Sequence, residues 1–340
     1  MLRRMNLLTV ALGLALTLVG SAAMAQYQLT NLVSNQSGQA RHTDPLLVNG
    51  WGLVYAPGSP FWVSDNGTGW STLYAANGLK QGLQVVVPSA NGKGPGSPTG
   101  IVFNGSSDFQ VQGKGAFFLF ATLDGTISAW APQVNLNQSI IMVPGAGAVY
   151  TGLAITNNAS GNVLFAADNA NNKVDVYDGT FTLVNSFTDA TVPAGFSVFN
   201  VQDLDGLMYV AYAATSGGTG GFIDIYSENG TFLKRLAQGG PLNQPWGFAA
   251  APKRFGTLSN TLLISNNVNK NGSINAFNAI TGEFVGSVND VNGKPIHIDQ
   301  LWGIEFGGGS PNNGAKNSLF FTAGPNNNFA GTFGVINLAP

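Results

Sequence analysis

Cysteine is absent from all 340 residues, which excludes disulfides, thiolate catalysis, thiolate metal sites and lipid attachment at a lipobox. The fold must be held by its core alone. Charge is scarce too: Asp, Glu, Lys and Arg make up 9% of the chain, with only three Glu and two His. No Lys/Arg cluster tracks a phosphate backbone, so nucleic acid is excluded as a partner. After the first 25 residues no apolar run reaches membrane-spanning length. No stretch carries a helix-period apolar face of useful length, and 46 Gly and 16 Pro would break one. G-x-S-x-G elbows, P-loops and dinucleotide-binding fingerprints are also missing.

What is present begins with a targeting signature. Met1-Leu2-Arg3-Arg4 supplies positive charge, an apolar stretch runs from about Leu7 to Val19, and Ala23-Met24-Ala25 is an A-x-A cleavage site. Residues 1–25 are expected to be a removed signal peptide, placing residues 26–340 in the periplasm or the medium of a bacterium as one domain. Without Arg3 and Arg4 the chain keeps 12 basic and 16 acidic side chains, a net of about −4. A hydrophobic content of 44% with 22 Phe is enough for one closed core. The polar surface is built from Asn, Gly, Ser, Thr and Gln, which favours hydrogen bonding over long-range steering. A monomer is expected.

The organising feature is a phrase repeated six times, a small residue or Trp followed by Gly and an apolar strand. It reads Trp51-Gly52-Leu53, Thr99-Gly100-Ile101, Thr151-Gly152-Leu153, Ala194-Gly195-Phe196, Trp246-Gly247-Phe248 and Trp302-Gly303-Ile304. The glycines lie 48, 52, 43, 52 and 56 residues apart, a little above the length of a four-stranded propeller blade. The third repeat shows four strands: Tyr150 to Thr156, Asn162 to Ala167, Lys173 to Tyr177 and Thr182 to Phe187, with turn residues between them. The sixth has only three, Trp302 to Phe306, Ser318 to Ala323 and Phe333 to Leu338, whereas Tyr27 to Ser34 is a strand that belongs to no repeat. The sequence therefore predicts an all-β, six-bladed propeller of four-stranded antiparallel blades, closed by the N-terminal strand completing the last blade. The Gly/Ser/Pro-rich stretches Pro88 to Pro98, Ala213 to Gly221 and Gly307 to Asn317 read as flexible surface excursions.

A Gly-apolar inner strand, a second strand ending in Ala167-Asp168 or Ser64-Asp65, and a third of the type Lys173-Val174-Asp175-Val176-Tyr177 resemble the NHL-like six-bladed propellers over the whole mature chain. The Asn49–Leu53 opening (NGWGL), the Phe61–Tyr74 stretch (FWVSDNGTGWSTLY) and the three Trp-Gly repeats are also similar to a functionally uncharacterised family of secreted bacterial propellers. Some of its members carry a C-terminal sorting tail; this chain ends in NLAP, so the resemblance implies release. Lactonase-type propellers hold a metal with a Glu on the first inner strand and Asn and Asp partners, but here that position reads Asn49-Gly50-Trp51. Glu228 and Glu283 sit at outer hairpins and Glu305 lies in the last inner strand, leaving an all-Asp/Asn site open. Sialidase boxes are excluded: Ser64 to Trp70 is one residue out of register, and the mature chain has only Arg41, Arg235 and Arg254.

Three sets of residues could carry function. Both histidines stand in His-x-Asp, His42-Thr43-Asp44 and His297-Ile298-Asp299, each ahead of an inner strand in neighbouring blades. In extended chain i and i+2 point the same way, so His42, Asp44, His297 and Asp299 could hold a divalent metal or act as acid and base, or each pair could pin its own loop. Trp51, Trp246 and Trp302, in blades one, five and six, could line the channel as a stacking arc for a ligand or pack between blades. Asp65, Asn66, Asp124, Asp168, Asn169 and Asn266 could form a polar rim, binding Ca²⁺, or make turns. The expected function is ligand binding or interaction at one propeller face, for a small molecule, a glycan or a protein, with no membrane span after signal cleavage. The alternative is a metal-dependent hydrolase or lyase at the channel mouth.

Overall fold

The computed structural model describes residues 26–340; the signal peptide expected over residues 1–25 lies outside them. Alternating apolar residues between Gly, Asn and Asp turns form short antiparallel strands, and these assemble into a propeller of six sheets. Blade one comprises Gly50–Tyr55, Phe61–Asp65, Trp70–Tyr74 and Lys80–Val86, and blade three Tyr150–Asn158, Gly161–Asp168, Lys173–Asp178 and Leu183–Phe187. The inner strands of blades two, four, five and six are Pro98–Phe103, Phe196–Leu204, Pro245–Ala250 and Leu301–Phe306. Among the described residues the one helical element is a 3₁₀ turn at Gly256–Leu258.

Closure follows the sequence expectation. Tyr27–Ser34 pairs antiparallel with Thr332–Leu338, from Tyr27 opposite Leu338 to Ser34 opposite Thr332, as the outer strand of blade six. A two-residue strand, His42–Thr43, then adds in parallel beyond it, opposite Val33 and Ser34. Both ends of the described chain thus share one sheet, which removes the seam along which the ring would open.

The core lies between the sheets. Six clusters each join two neighbouring blades; Trp62, Leu73 and Val85 of blade one, for example, pack on Ile101, Phe118 and Phe120 of blade two. A seventh, of Trp51, Trp246, Trp302, Leu123 and Phe199, sits on the axis.

The pairing of every inner strand with its neighbour is bulged near the axis, with register shifts at Gly50/Leu53, Tyr150/Gly152, Val198/Asn200, Pro245/Phe248 and Leu301/Ile304 and, opposite Ile101 and Pro98 in blade two, at Phe120/Thr122. A bulge re-aims the side chain that occupies it. These registers also correct the fourth repeat. Its axial position is Phe199-Asn200-Val201, not Ala194-Gly195-Phe196, because Asn200 takes the slot of Gly152 and Gly247. The axial residues 52, 100, 152, 200, 247 and 303 are then 48, 52, 48, 47 and 56 apart, more even than the glycines alone. Gly195 has φ +93 with open space around it and marks a turn instead. At the true axial position close approach is the rule: a Cβ on Gly100 would lie 2.5 Å from the Leu153 nitrogen.

Candidate functional site

Around the axis the inner strands begin on what we term the upper face and end on the lower. At the upper end the bulges throw three indoles onto the axis. Trp51 and Trp302 stack with ring centroids 3.6 Å apart at 19°, and Trp246 meets them edge-on at 6.4 and 5.9 Å. Phe199 of blade four closes the group, 5.8 Å from Trp302. The expected aromatic arc therefore spends its faces on itself, and the tryptophans are only 3–6% exposed. Polar bonds fix the plug. Trp302 Nε1 donates to Asn49 Oδ1 at 2.9 Å and Trp246 Nε1 to the Thr151 carbonyl at 3.0 Å, whereas Trp51 Nε1 is buried without a partner.

Hydroxyl relays tie one Trp-Gly to the next. Gly247 N–H donates to Ser265 Oγ, which donates to the Trp302 carbonyl, both at 2.7 Å. Gly303 N–H likewise donates to Thr322 Oγ1 at 3.0 Å, which donates to the Trp51 carbonyl at 2.5 Å. In blade four the axial Asn200 itself supplies the link, from Nδ2 to the Trp246 carbonyl at 2.7 Å.

Below the plug the channel widens into a cavity of about 220 Å³. The pairing registers put Val54, Val102, Ala154, Gln202, Ala249 and Glu305 at equivalent positions. The small members of that set leave the room that the indoles fill higher up. The walls are Leu53, Ile101, Leu153, Val201 and Ile304, and the ionisable lining groups, Asp203 and Glu305, are both acidic. Gln202 is committed to the next blade, donating to the Phe248 carbonyl at 2.7 Å and accepting from its N–H at 3.2 Å. Asp203 accepts from Gly206 N–H at 2.9 Å, and burial pushes its carboxyl up. Burial pushes the Glu305 carboxyl up to about 8, opposed only by the Phe306 backbone N–H. Next to it, burial and then the Glu305 charge push the Tyr55 hydroxyl up to about 12.

The two His-x-Asp pairs do not meet. Asp44 is buried, accepts from the Tyr74 hydroxyl at 2.7 Å and from Leu46 N–H at 3.1 Å, and pairs with Lys80 at 2.9 Å. It latches the N-terminal segment to blade one, while His42 stands beside it on the outer edge of blade six. Asp299 accepts from the backbone N–H groups of Lys270 at 2.5 Å and Asn326 at 2.9 Å, and exposed His297 lines a separate surface hollow with Asn31 and Gln36. Among the described residues no group of three or more His, Cys, Asp or Glu could hold a metal ion. The expected four-residue cluster is not built: His297 and Asp299 share a hollow that His42 and Asp44 do not line.

Except for Asp65, whose two buried carboxyl oxygens have no hydrogen-bond partner, the polar rim is spent on loops and blade contacts. Asn66 Nδ2 donates to the Pro98 carbonyl at 3.1 Å, Asn169 Nδ2 to Val198 at 2.8 Å and Asn267 Nδ2 to Leu301 at 3.1 Å, each reaching the inner strand of the next blade. Asp124 accepts from Ala90 N–H at 2.9 Å, Asp168 from Val149 N–H at 3.1 Å, and Asn266 from Asn243 N–H at 3.0 Å. Asp65 is fully buried, and burial holds its carboxyl well above the usual carboxylate range.

Sequence reasoning placed Glu305 in the last inner strand without making it a site candidate, and it did not single out Asp203 or Tyr55. A signal existed for the first: one of only three Glu directly follows Trp302-Gly303-Ile304 in an axial strand. Asp203 was hidden by the misaligned fourth repeat.

Fold and axial site together define a six-bladed propeller with a plugged channel open at its lower end. No family model matches the sequence. The chain belongs to the family of the uncharacterised protein R648 of Acanthamoeba polyphaga mimivirus, with which it is 31% identical over 92% of this chain and 81% of that one. Of the NHL-like resemblance, the comparisons establish the six-bladed fold. It is similar to a streptogramin B lyase, with a TM-score of 0.56 at 11% identity, covering 92% of this chain and 98% of that one. Virginiamycin B lyase from Staphylococcus aureus aligns with the same score at 9% identity, over 92% and 99%. At such identities the likeness shows the fold alone.

Proposed function

We propose that this propeller is an exported binding protein that takes a small organic cation with an apolar body into its axial channel. One observation carries the reading: a carboxyl, Glu305, set in an apolar cavity whose ionisable lining is wholly acidic. An ammonium would give that carboxyl the partner it lacks, and the branched aliphatic walls would cover the ligand's carbon skeleton. Export is supported by the charge, apolar stretch and A-x-A site of residues 1–25.

Proton linkage makes the reading testable. In the empty channel Glu305 is protonated below about 8, so an amine that stays charged must displace that proton. Titration calorimetry with short n-alkylamines is expected to show affinity rising up to roughly tenfold per pH unit between about pH 6 and 8, then levelling. Glu305→Gln should remove both the affinity and the slope. Equal binding by wild type and variant would overturn the proposal.

A second reading rests on the same carboxyl, poised near 8 to give or take a proton in an elimination or hydrolysis. Turnover of any amine-bearing ester or lactone that vanishes in Glu305→Gln would favour it over binding alone.

A further inference from the structure

Beside the channel mouth, on the lower face, lies a second hollow of about 500 Å³ between the ends of blades one, five and six. Its walls are the Tyr55 ring, Pro57 and Pro252, and its polar groups are Asn313 and Lys316. The loop that supplies those two, residues 307–318, reads as a flexible excursion in the sequence but is tightly organised. Gly309 N–H donates to the Gly314 carbonyl at 2.7 Å, and both glycines have positive φ, +91 and +80, the turn conformation that glycine adopts without strain. Asn312 Nδ2 donates to the Gly58 carbonyl at 2.9 Å, anchoring the loop to blade one. A Cβ on Gly308 would lie 2.7 Å from Tyr55 Cε2, so the missing side chain seats that ring.

Asn313 is 1% exposed, and its Oδ1 accepts from the Ser310 N–H at 3.1 Å and the Ser310 hydroxyl at 2.8 Å. A backbone N–H can only donate, which fixes the amide's orientation: Oδ1 faces Ser310, and Nδ2 lies beside Gly308, where a Cβ would come within 2.9 Å of it. That nitrogen is buried and has no hydrogen-bond partner. Buried donors are rarely left unpaired, so this amide has capacity for one more acceptor. Lys316 forms no ion pair among the described residues, and its stem lies along Gly309, 3.0 Å from where a Cβ would stand. Here the lining is two donors and one positive charge; in the channel it is two carboxyls.

We propose that Asn313 Nδ2 and Lys316 Nζ form a carboxylate subsite, so that the ligand is an amino acid-like zwitterion with its amine in the channel and its carboxylate in this hollow. The amine half rests on the channel reading above; the carboxylate half does not. One neutral amide donor with one ammonium suits a single negative charge spread over two oxygens, held through charge-assisted bonds. Tyr55, shared between the hollow and the neighbourhood of Glu305, would cover the chain that joins the two ends.

The test is calorimetry at about pH 8.5 with ω-amino acids of four to eight carbons, and the matching alkylamines and alkanoates, on wild type, Lys316→Met, Asn313→Asp and Glu305→Gln. The expected result is that one ω-amino acid binds roughly tenfold tighter than its amine. Lys316→Met should erase that gain and leave alkylamine binding unchanged. Asn313→Asp, which keeps the acceptor for Ser310 and replaces the donor, should do the same. If no ω-amino acid improves on its amine, the carboxylate subsite is overturned and the channel reading stands. If alkanoates bind as well as ω-amino acids and both depend on Lys316, the channel reading fails while the subsite survives. No binding by either carboxylate series overturns the subsite outright.

Discussion

The upper and lower ends of the axial channel are made by the same six strands, a few residues apart, yet they are opposite in character. At the upper end Trp51, Trp246 and Trp302 pack into a buried plug with two of three indole N–H groups bonded. At the lower end the equivalent ring is mostly Val and Ala, and the space they leave holds carboxyls that burial has pushed upward. The lesson is a division of labour along one strand. Bulky aromatics where the strands converge hold the ring together, and small residues two or three positions on leave a cavity that stability alone would fill.

Removing a plug residue should break the contrast most severely. Trp302→Ala deletes the stacked partner of Trp51 and is expected to cost roughly 3–5 kcal/mol, read as a lowered urea midpoint. A loss under about 1 kcal/mol would mean that the indoles line the channel and do not hold it.

Acting on the lower end should do the reverse. In the folded protein Glu305 titrates at about 8, against 4.5 unfolded. Between those values the folded state holds a proton that the unfolded state releases. The stability contributed by protonated Glu305 is therefore complete below 4.5 and is lost as pH rises through 8. Glu305→Gln is expected to stabilise the empty protein at pH 9 by roughly 2–4 kcal/mol, after allowance for its partial exposure, and to flatten the decline between pH 5 and 8. Thermal melts of both proteins across that range would show it; parallel curves would place Glu305 in water.

Smaller effects test the links between blades. Ser265→Ala leaves the Gly247 N–H and the Trp302 carbonyl unpaired in the core and should cost about 2 kcal/mol. Smallest of all, His42→Ala and His297→Ala should each change stability by less than about 0.5 kcal/mol, since neither imidazole joins the axial machinery. Stoichiometric transition metal in the wild type, lost in the double variant by elemental analysis, would instead bring both histidines back as ligands.

Much of the architecture was legible. The phrase of Trp or Thr before Gly and an apolar strand marks five of six inner strands, and Tyr27–Ser34 is recognisable as a closing strand because it belongs to no repeat. The fourth repeat misled because Gly195 serves a turn, while the axial slot holds Asn200, whose side chain makes the inter-blade bond that a glycine cannot. The His-x-Asp pairs misled for another reason. Spacing shows which side chains share a face of one segment, but not which segments meet, and Asp44 is taken by Tyr74 and Lys80. Glu305 stood in plain sight, yet its chemistry depends on what surrounds it.

The sequence by itself determined the number of blades, their four-strand order and the ring closure, because strand period, turn residues and repeat length are local properties read along the chain. Only the tertiary structure decided which residues are functional candidates. Desolvation of Glu305 and the self-burial of the tryptophans arise where the inner strands converge, and the unpaired Asn313 amide where the ends of three blades meet; the free energy of a polar group is set by those neighbours, not by its place in the sequence.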